Sequence, residues 1–271
     1  MGTDICSISA LNGFETVIYD VNEQALTKAH AVIFRGFDKL VEKNKIDNIK
    51  RKESEDRIYF SSDIKEVSKA GIIIEAAVEN LDLKKIIYHQ LDELTIADTI
   101  LASNTSSFSI TALSGAVNNH KERVVGMHFF NPAAIMKLVE VIKGEFTSDG
   151  TIAQAFDIAR RLGKTPILCK DSPAFIVNRI ARPFYGESLK IAGENDLGFK
   201  DIDSIMKEEG KFALGPFELM DLIGIDVNLF VTKSVFEAFY FDPKYKPHPI
   251  QQKKVDAGMF GKKSGMGFYK Y

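Results

Sequence analysis

Short runs of β-branched residues alternate with longer helical patterns along the first two-thirds of this 271-residue chain. The run at 71–77 is apolar except for Glu75, which is typical of a strand buried on both faces of a parallel sheet. Helical patterns between strand candidates fit right-handed crossovers, so the sequence predicts an α/β fold with a Rossmann-type doubly wound sheet. Predicted strands lie at 16–20, 58–60, 71–77, 99–103, 124–128, 138–142 and 166–168, and predicted helices at 3–12, 23–45, 83–94 and 152–162.

The character of the sequence changes near Asp171, after which helical periodicity continues and strand patterns almost disappear. A long helix is predicted at 174–192, with a kink or break at Pro183, because proline lacks the N–H that an interior helical position donates. Gly215-Pro216 and Asp242-Pro243 predict turns beside helices. We therefore expect two domains, a nucleotide-binding domain at 1–170 and an all-helical domain at 171–271.

Composition excludes several classes of partner. The formal net charge is −2, which gives no reason to expect a nucleic-acid partner or an anionic membrane. No apolar stretch approaches the length of a membrane span, and the first residues lack a basic signal-peptide region. Two cysteines are too few for a disulfide framework. We expect a cytoplasmic protein without a metal site.

The strand at 16–20 ends in Asp20, as the second strand of many dinucleotide-binding folds ends in an acid. Such a carboxylate accepts hydrogen bonds from the ribose, and its charge would repel the 2′-phosphate of NADP, so NAD is the expected cofactor. A strand and a Gly-x-Gly-x-x-Gly turn usually precede this acid by roughly twenty residues, whereas only Met1 and Gly2 lie there. We expect Gly2 to be the third glycine, with the first strand missing. A surface helix before an ordinary strand remains an equal alternative.

A histidine among large apolar residues, followed twelve residues later by an acid, is the main candidate for catalysis. These are His128 in Gly-Met-His-Phe-Phe-Asn-Pro and Glu140 in Lys-Leu-Val-Glu-Val-Ile. An imidazole oriented by a carboxylate can act as a general base near neutral pH, which oxidation of a secondary alcohol requires. The segment at 102–107 follows a buried strand, where α/β folds bind ligands. From this pattern alone, a packed structural histidine is the more common outcome.

Six motifs, in the same order along the chain, resemble the 3-hydroxyacyl-CoA dehydrogenase family, and the match extends from Gly2 to Tyr271. That family has an N-terminal Rossmann-type domain, a helical C-terminal domain that dimerises, and an active site between them. The motifs are Asn104-Thr-Ser-Ser107, His128-Phe-Phe-Asn-Pro132, Lys137-Leu-Val-Glu140, Pro173-Ala-Phe-Ile-Val-Asn-Arg179, Gly215-Pro-Phe-Glu-Leu-Met-Asp221 and Phe260-Gly-Lys-Lys-Ser-Gly-Met-Gly-Phe-Tyr269.

The resemblance implies a role for each matching residue. His128 matches the general base and Glu140 the acid that orients it, while Ser106 and Asn178 match the groups that hold the substrate and polarise its reacting oxygen. Positions that match NAD contacts are Gly2, Asp20, Glu79, Lys84, Ser106, Asn131 and Lys263, and Lys43 matches a lysine near the CoA phosphates. Lys43 could instead lie on a solvated helix face, and Glu79 with Lys84 could be an exposed ion pair of little energetic consequence.

The implied reaction is NAD-dependent oxidation of (S)-3-hydroxyacyl-CoA to 3-oxoacyl-CoA, or its reverse, in fatty acid metabolism such as β-oxidation. 3-Hydroxybutyryl-CoA or a short-to-medium acyl chain is the first expectation. The segments at 182–187 and 244–249 also resemble 3-hydroxyadipyl-CoA dehydrogenases of phenylacetate breakdown, in which case Arg182 would meet a distal carboxylate or lie at the dimer interface. The alternative to an enzyme is a truncated, non-catalytic dimer that binds acyl-CoA. The genomic sequence immediately upstream would discriminate between the enzyme and the truncated protein.

Three positions depart from the pattern of the family. Ala174 stands where a glycine is usual, and Leu214 stands where a methionine is common. Asp4 replaces a small glycine on the first helix. We expect the Asp4 carboxylate to point away from the phosphates of the cofactor.

Overall fold

All seven strands of the computed structural model, which describes residues 1–271, lie in the first of two units. The first unit is Met1–Ser172 and the second is Pro173–Tyr271. The first unit is α/β and the second helical, as the sequence predicts. None of the helices combines the length and apolar character that a membrane crossing needs.

The strands of the first unit form two sheets rather than one. A parallel two-stranded sheet contains β1 and β2, and a five-stranded sheet has the order β3-β4-β5-β6-β7. Pairing is parallel except between β5 and β6, which are antiparallel. β1 and β3 therefore each pair on one side, and both are only partly buried. The strands are β1 Thr16–Tyr19, β2 Ile58–Ser61, β3 Ile72–Glu75, β4 Ile100–Ser103, β5 Val124–Phe129, β6 Leu138–Lys143 and β7 Thr165–Lys170.

Most helices of the first unit begin at a side chain that caps free backbone N–H groups. Asn22 caps α2, Asp47 caps α3 and Asn80 caps α4. The sequence predicts one helix at 23–45, but the structure ends α2 at Glu42 and begins α3 after Asp47. The helices are α1 Gly2–Leu11, α2 Glu23–Glu42, α3 Asn48–Asp56, α4 Leu81–Leu94, α5 Ile110–Ser114 and α6 Asp149–Arg161.

Helix α1 packs against the strands of both sheets. Ile5 and Ile8 belong to the apolar core of the five-stranded sheet. Cys6 and Ala10, on another face of the same helix, belong to a core with Ile58 of β2. Burial of both faces explains why α1 has apolar residues around most of its circumference.

The second unit consists of five helices, together with short 3-10 turns, around a main apolar core and a smaller one. Tyr185, Phe217, Met220 and Ile225 lie at its centre. Of the kink or break predicted at Pro183, the break is wrong, because α7 continues through this residue to Glu194. The helices are α7 Val177–Glu194, α8 Phe199–Glu208, α9 Pro216–Ile223, α10 Ile225–Ala238 and α11 Pro249–Asp256.

Ala174 lies in the left-handed region of backbone conformation, with φ of 64°. A side chain raises the energy of this conformation, which glycine adopts without cost. The methyl group of Ala174 is nevertheless buried in a small core with Val235 and Tyr245. Its packing therefore offsets part of the strain.

Candidate active site

His128 and Glu140 face each other across the antiparallel pair of β5 and β6. They are direct partners in the register of the two strands, so their side chains project from the same face of the sheet. His128 Nδ1 lies 2.7 Å from Glu140 Oε2, and the two side chains are 7% and 0% exposed. This hydrogen bond orients the ring and assigns its Nδ1 proton to the carboxylate side.

The loop that follows β4 carries four hydroxyl side chains and returns to the carboxylate of Glu79. Glu79 Oε1 accepts hydrogen bonds from Thr105 Oγ1 at 2.6 Å, from the Ser106 N–H at 3.0 Å and from Ser107 Oγ at 3.1 Å. Ser106 Oγ lies 3.3 Å from the same oxygen. One carboxylate oxygen therefore holds three successive residues of the loop, including Ser106.

Burial alone would raise the pKa of Glu79. Hydrogen bonds from Thr105, Ser106 and Ser107, together with the nearby charge of Lys84, outweigh that effect and lower the pKa of this carboxyl. Glu79 is therefore ionised at neutral pH, which is the state that can accept every one of these bonds.

The loop at residues 104–109, the serine loop, is attached at two further points, one on β5 and one at the residue that follows β7. Asn104 Oδ1 accepts the N–H of Phe129 at 2.8 Å, which links the loop to the residue after His128. Asp171 accepts bonds from Ser109 Oγ, the Ile110 N–H and the Thr111 N–H where the loop enters α5. Asn104 and Asp171 are not among the predicted site residues. Both follow predicted strands, and this position was the available signal.

The alternative that Glu79 and Lys84 form an exposed ion pair is wrong, because Lys84 is buried. Its side chain is 1% exposed, and Nζ lies 2.7 Å from Glu75 Oε1 and 3.3 Å from Glu79 Oε2. Both Glu79 and Lys84 thus belong to a buried network beside the serine loop.

The predicted nucleotide residues lie at the carboxyl ends of strands and at a helix N-terminus. Asp20 follows β1 and is exposed, with Oδ1 accepting the N–H of Asn22. Gly2 begins α1, and a Cβ on it would lie 3.9 Å from Cβ of Ala76, the residue after β3. That distance is an ordinary contact, so packing in this structure does not require glycine at position 2.

The Asp4 carboxylate accepts the N–H of Ala133 at 3.2 Å. Lys164 Nζ donates to the carbonyl groups of Ala133 and Met136 in the same loop. The first helix is thereby attached to the loop that follows His128. Asp4, which departs from the pattern of the family, therefore has a hydrogen-bond partner in the structure.

Two residues of the first unit, one predicted to contact NAD and one predicted to contact CoA, are exposed and belong to no buried network. Asn131 lies in the loop after β5, and Lys43 follows the last residue of α2. Close to Lys43, Arg51 is already paired with Asp38 and Glu55. No group of three or more His, Cys, Asp or Glu side chains is arranged to hold a metal ion.

In the second unit, Asn178 lies in the first turn of α7, and its carbonyl accepts a bond from Arg182 Nε. Arg182 is 5% exposed and donates to the Asn228 carbonyl and to Thr232 Oγ1, without a salt bridge. Burial lowers the pKa of Arg182 to about 10. Lys263 is exposed and pairs with Asp226 at 2.6 Å.

Comparison with known proteins covers both units. Residues 1–172 match the family model "3-hydroxyacyl-CoA dehydrogenase, NAD binding domain", and residues 175–271 match "3-hydroxyacyl-CoA dehydrogenase, C-terminal domain". The chain is 40% identical over 269 residues to a 3-hydroxyadipyl-CoA dehydrogenase of Escherichia coli, covering 99% of this chain and 56% of that protein. The chain thus spans little more than half of that relative.

Two other relatives are covered almost completely. A probable 3-hydroxybutyryl-CoA dehydrogenase of Deinococcus radiodurans is 39% identical over 271 residues, which is 100% of this chain and 96% of the relative. The crystal structure of an (S)-3-hydroxybutyryl-CoA dehydrogenase from Ralstonia eutropha superposes with a TM-score of 0.95 at 39% identity, covering 100% of this chain and 95% of that one.

Proposed function

Because the chain belongs to the 3-hydroxyacyl-CoA dehydrogenase family, we propose that it oxidises (S)-3-hydroxyacyl-CoA to 3-oxoacyl-CoA with NAD⁺, or catalyses the reverse reduction. The family consists of oxidoreductases that act on CH–OH groups. The observation that carries the proposal is the buried His128–Glu140 pair, with a 2.7 Å hydrogen bond, on the strand next to the serine loop.

In this proposal His128 is the general base. It takes the hydroxyl proton of the substrate at Nε2, while Glu140 holds the ring and stabilises the positive charge that the ring gains. Ser106 and Asn178 donate hydrogen bonds to the substrate oxygen, on which negative charge develops during proton transfer. NAD⁺, when bound, supplies the acceptor for the hydride that leaves C3 of the alcohol.

The residues that would hold NAD fit its chemistry. Asp20 is an exposed carboxylate at the end of β1, suited to ribose hydroxyls and repulsive to a 2′-phosphate. The N-terminus of α1 at Gly2 offers backbone N–H groups to the pyrophosphate. Glu79, Ser106, Asn131 and Lys263 complete the proposed cofactor contacts, and Lys43 would meet the CoA phosphates. Lys84 is 1% exposed and held between Glu75 and Glu79, so its geometry fits support of Glu79 better than direct contact with NAD.

The test is consumption of NADH, followed by its absorbance, with acetoacetyl-CoA as substrate, together with titration of acetoacetyl-CoA binding by calorimetry. Turnover supports the dehydrogenase. Binding of the acyl-CoA without turnover at any NADH concentration would contradict it and favour the non-catalytic acyl-CoA-binding protein.

We propose 3-hydroxybutyryl-CoA or another short-to-medium acyl chain as substrate, within fatty acid metabolism such as β-oxidation. The name of the E. coli relative supports 3-hydroxyadipyl-CoA as a second candidate. Arg182, a buried cation that donates to two carbonyls and a hydroxyl and has no carboxylate partner, is the residue to test. If Arg182 recognises a distal carboxylate, Arg182→Leu lowers kcat/KM for the adipyl substrate far more than for the butyryl substrate. An equal loss on both assigns Arg182 to folding.

We also propose that the helical domain at 171–271 forms a homodimer. Several large apolar side chains of α9 and α10 are exposed on the chain, namely Leu222, Ile223, Val227 and Phe230. Exposed large apolar side chains on two successive helices are typical of an interaction surface. The two cysteines, Cys6 and Cys169, are free and buried, which supports a reducing compartment such as the cytoplasm.

A further inference from the structure

Glu75, the last residue of β3, is a buried carboxylate beside the serine loop that the proposed mechanism leaves unused. Its side chain is 3% exposed. Oε1 accepts bonds from Lys84 Nζ at 2.7 Å and from the Ala77 N–H at 2.6 Å, and Oε2 accepts Ser103 Oγ at 2.8 Å. A buried carboxylate with three donors is fully ordered. It joins β3, the N-terminal turn of α4 and the end of β4.

Lys84 carries this order from Glu75 to Glu79. Its ammonium lies between the two carboxylates, 2.7 Å from Glu75 Oε1 and 3.3 Å from Glu79 Oε2. The lysine is 1% exposed, so its charge depends on these partners rather than on water. If Glu75 lost its charge, Lys84 would keep Glu79 as its one carboxylate partner and would move toward it.

Glu79 divides its two oxygens between the lysine and the serine loop. Oε2 faces Lys84, whereas Oε1 accepts bonds from Thr105, Ser106 and Ser107. A shift of Lys84 would therefore rotate the Glu79 carboxylate and weaken the bonds that hold the loop. Ser106 is the member of that loop with a proposed role at the reacting oxygen.

We propose that Glu75 is a positioning residue, which acts through Lys84 and Glu79 to hold Ser106 in its reactive geometry. The inference rests on the proposed dehydrogenase function for its kinetic consequence and on the hydrogen-bond network alone for its structural one. In this role Lys84 supports the serine loop through Glu79, whether or not it also contacts NAD.

The test compares Glu75→Gln with a matched control, Asp92→Asn. Asp92 is another buried carboxylate of the same unit, paired with Arg123 at 2.8 Å, and it bonds the Asn118 and Asn119 N–H groups rather than the serine loop. We expect Glu75→Gln to lower kcat between about 10-fold and about 100-fold, as when a reacting group is misplaced by up to about 1 Å. KM for the acyl-CoA should change little, since Lys43, the proposed contact with the CoA phosphates, is not part of this network. Asp92→Asn should lower the melting temperature and leave kcat of the folded protein unchanged.

Hydrogen exchange of the peptide at 104–109 gives a readout that does not require turnover. The Ser106 N–H is bonded to Glu79, so its exchange should be slow in the wild type and faster in Glu75→Gln, but not in Asp92→Asn. Unchanged exchange and unchanged kcat in Glu75→Gln would overturn the inference. Absence of turnover in the wild type would instead contradict the proposed function. The comparison of hydrogen exchange at 104–109 would still test the network of Glu75, Lys84 and Glu79.

A milder variant covers the case in which Glu75→Gln does not fold. Glu75→Asp keeps the negative charge and withdraws the carboxylate by one methylene from Lys84 Nζ and Ser103 Oγ. Ser103→Ala is unsuitable, because Ser103 Oγ also accepts the Thr105 N–H and the variant would loosen the loop directly. We expect Glu75→Asp to give a smaller loss of kcat and faster exchange at 104–109. If Glu75→Asp matches the wild type in both measurements, the inference is overturned.

Discussion

At the scale of single residues, the proposed chemistry depends on two carboxylates with different partners. Glu140 is fully buried, and its Oε2 lies 2.7 Å from Nδ1 of His128. Glu79 is partly exposed and serves a loop through several hydroxyl and amide donors. Substitution at each position should therefore give a different signature.

We predict that His128→Gln lowers kcat by about 10²-fold to about 10⁴-fold, the usual contribution of a general base. The amide keeps the size and polarity of the ring but cannot take the proton, so the melting temperature should stay near that of the wild type. Steady-state consumption of NADH measures the loss. His120→Gln is the control, because His120 is exposed and pairs with Glu122. Near-normal turnover in His128→Gln would remove its proposed role.

The lowered pKa of Glu79 predicts a pH-dependent contribution to folding. The contribution is complete above the ordinary pKa of 4.5 and is lost as the pH falls below that value through the folded-state pKa. Glu79→Gln should therefore reduce the free energy of unfolding more at about pH 7 than at about pH 4. Urea denaturation at the two pH values measures this difference. Glu93→Gln, at an exposed position, is the control, and an equal deficit at both pH values would contradict the prediction.

At the scale of elements, a buried aspartate of α9 holds the C-terminal segment. Asp221 accepts the N–H groups of Phe268 and Tyr269 and the hydroxyl of Tyr271, and it is 0% exposed. The Tyr269 hydroxyl donates to Asp203 of α8 at 2.7 Å. At the Gly-Met-Gly-Phe-Tyr motif the backbone passes close to Asp221, and this close approach leaves no room for a side chain at Gly267.

We predict that Gly267→Ala lowers the free energy of unfolding by about 1–3 kcal/mol, the usual cost of overpacking. A Cβ at this position would lie 2.1 Å from Asp221 Oδ1. Gly36→Ala is the control, because Gly36 lies in α2 with nothing within 4 Å of the added Cβ. That change should stabilise the protein by about 0.5–1 kcal/mol through helix propensity. Chemical denaturation measures both, and equal effects would contradict the steric argument.

At the scale of the whole molecule, exposed apolar side chains on the second unit predict self-association. Phe230 of α10 is 56% exposed, and Phe230→Glu should convert a dimer to a monomer because it places a charge in an apolar interface. Sedimentation analysis measures the mass against the 30.2 kDa of one chain. Val32→Glu, at a 53% exposed position of α2, should leave the dimer intact. A Phe230→Glu dimer as stable as the wild type would exclude this face.

The sequence was sufficient for most features that depend on local pattern. Alternation of β-branched runs and helical periods predicted an α/β unit followed by helices, and the predicted strands and helices of the first unit agree with the structure within a few residues. Motifs identified the family and the pair His128 and Glu140. Two helices of the first unit were not predicted: α3, which is short and mostly charged, and α5, which has five residues. The break at Pro183 was also wrong, because α7 continues through this residue.

Only the tertiary structure decided which charges are buried and what they face. Sequence could not distinguish an exposed Glu79–Lys84 pair from a buried one, nor assign a role to Glu75, because burial depends on strands that are distant along the chain. The register of β5 and β6 places Glu140 opposite His128, and the adjacency of β3 and β4 places Glu75 beside Ser103. A strand pattern specifies which residues share a face, whereas pairing between strands determines which of them meet.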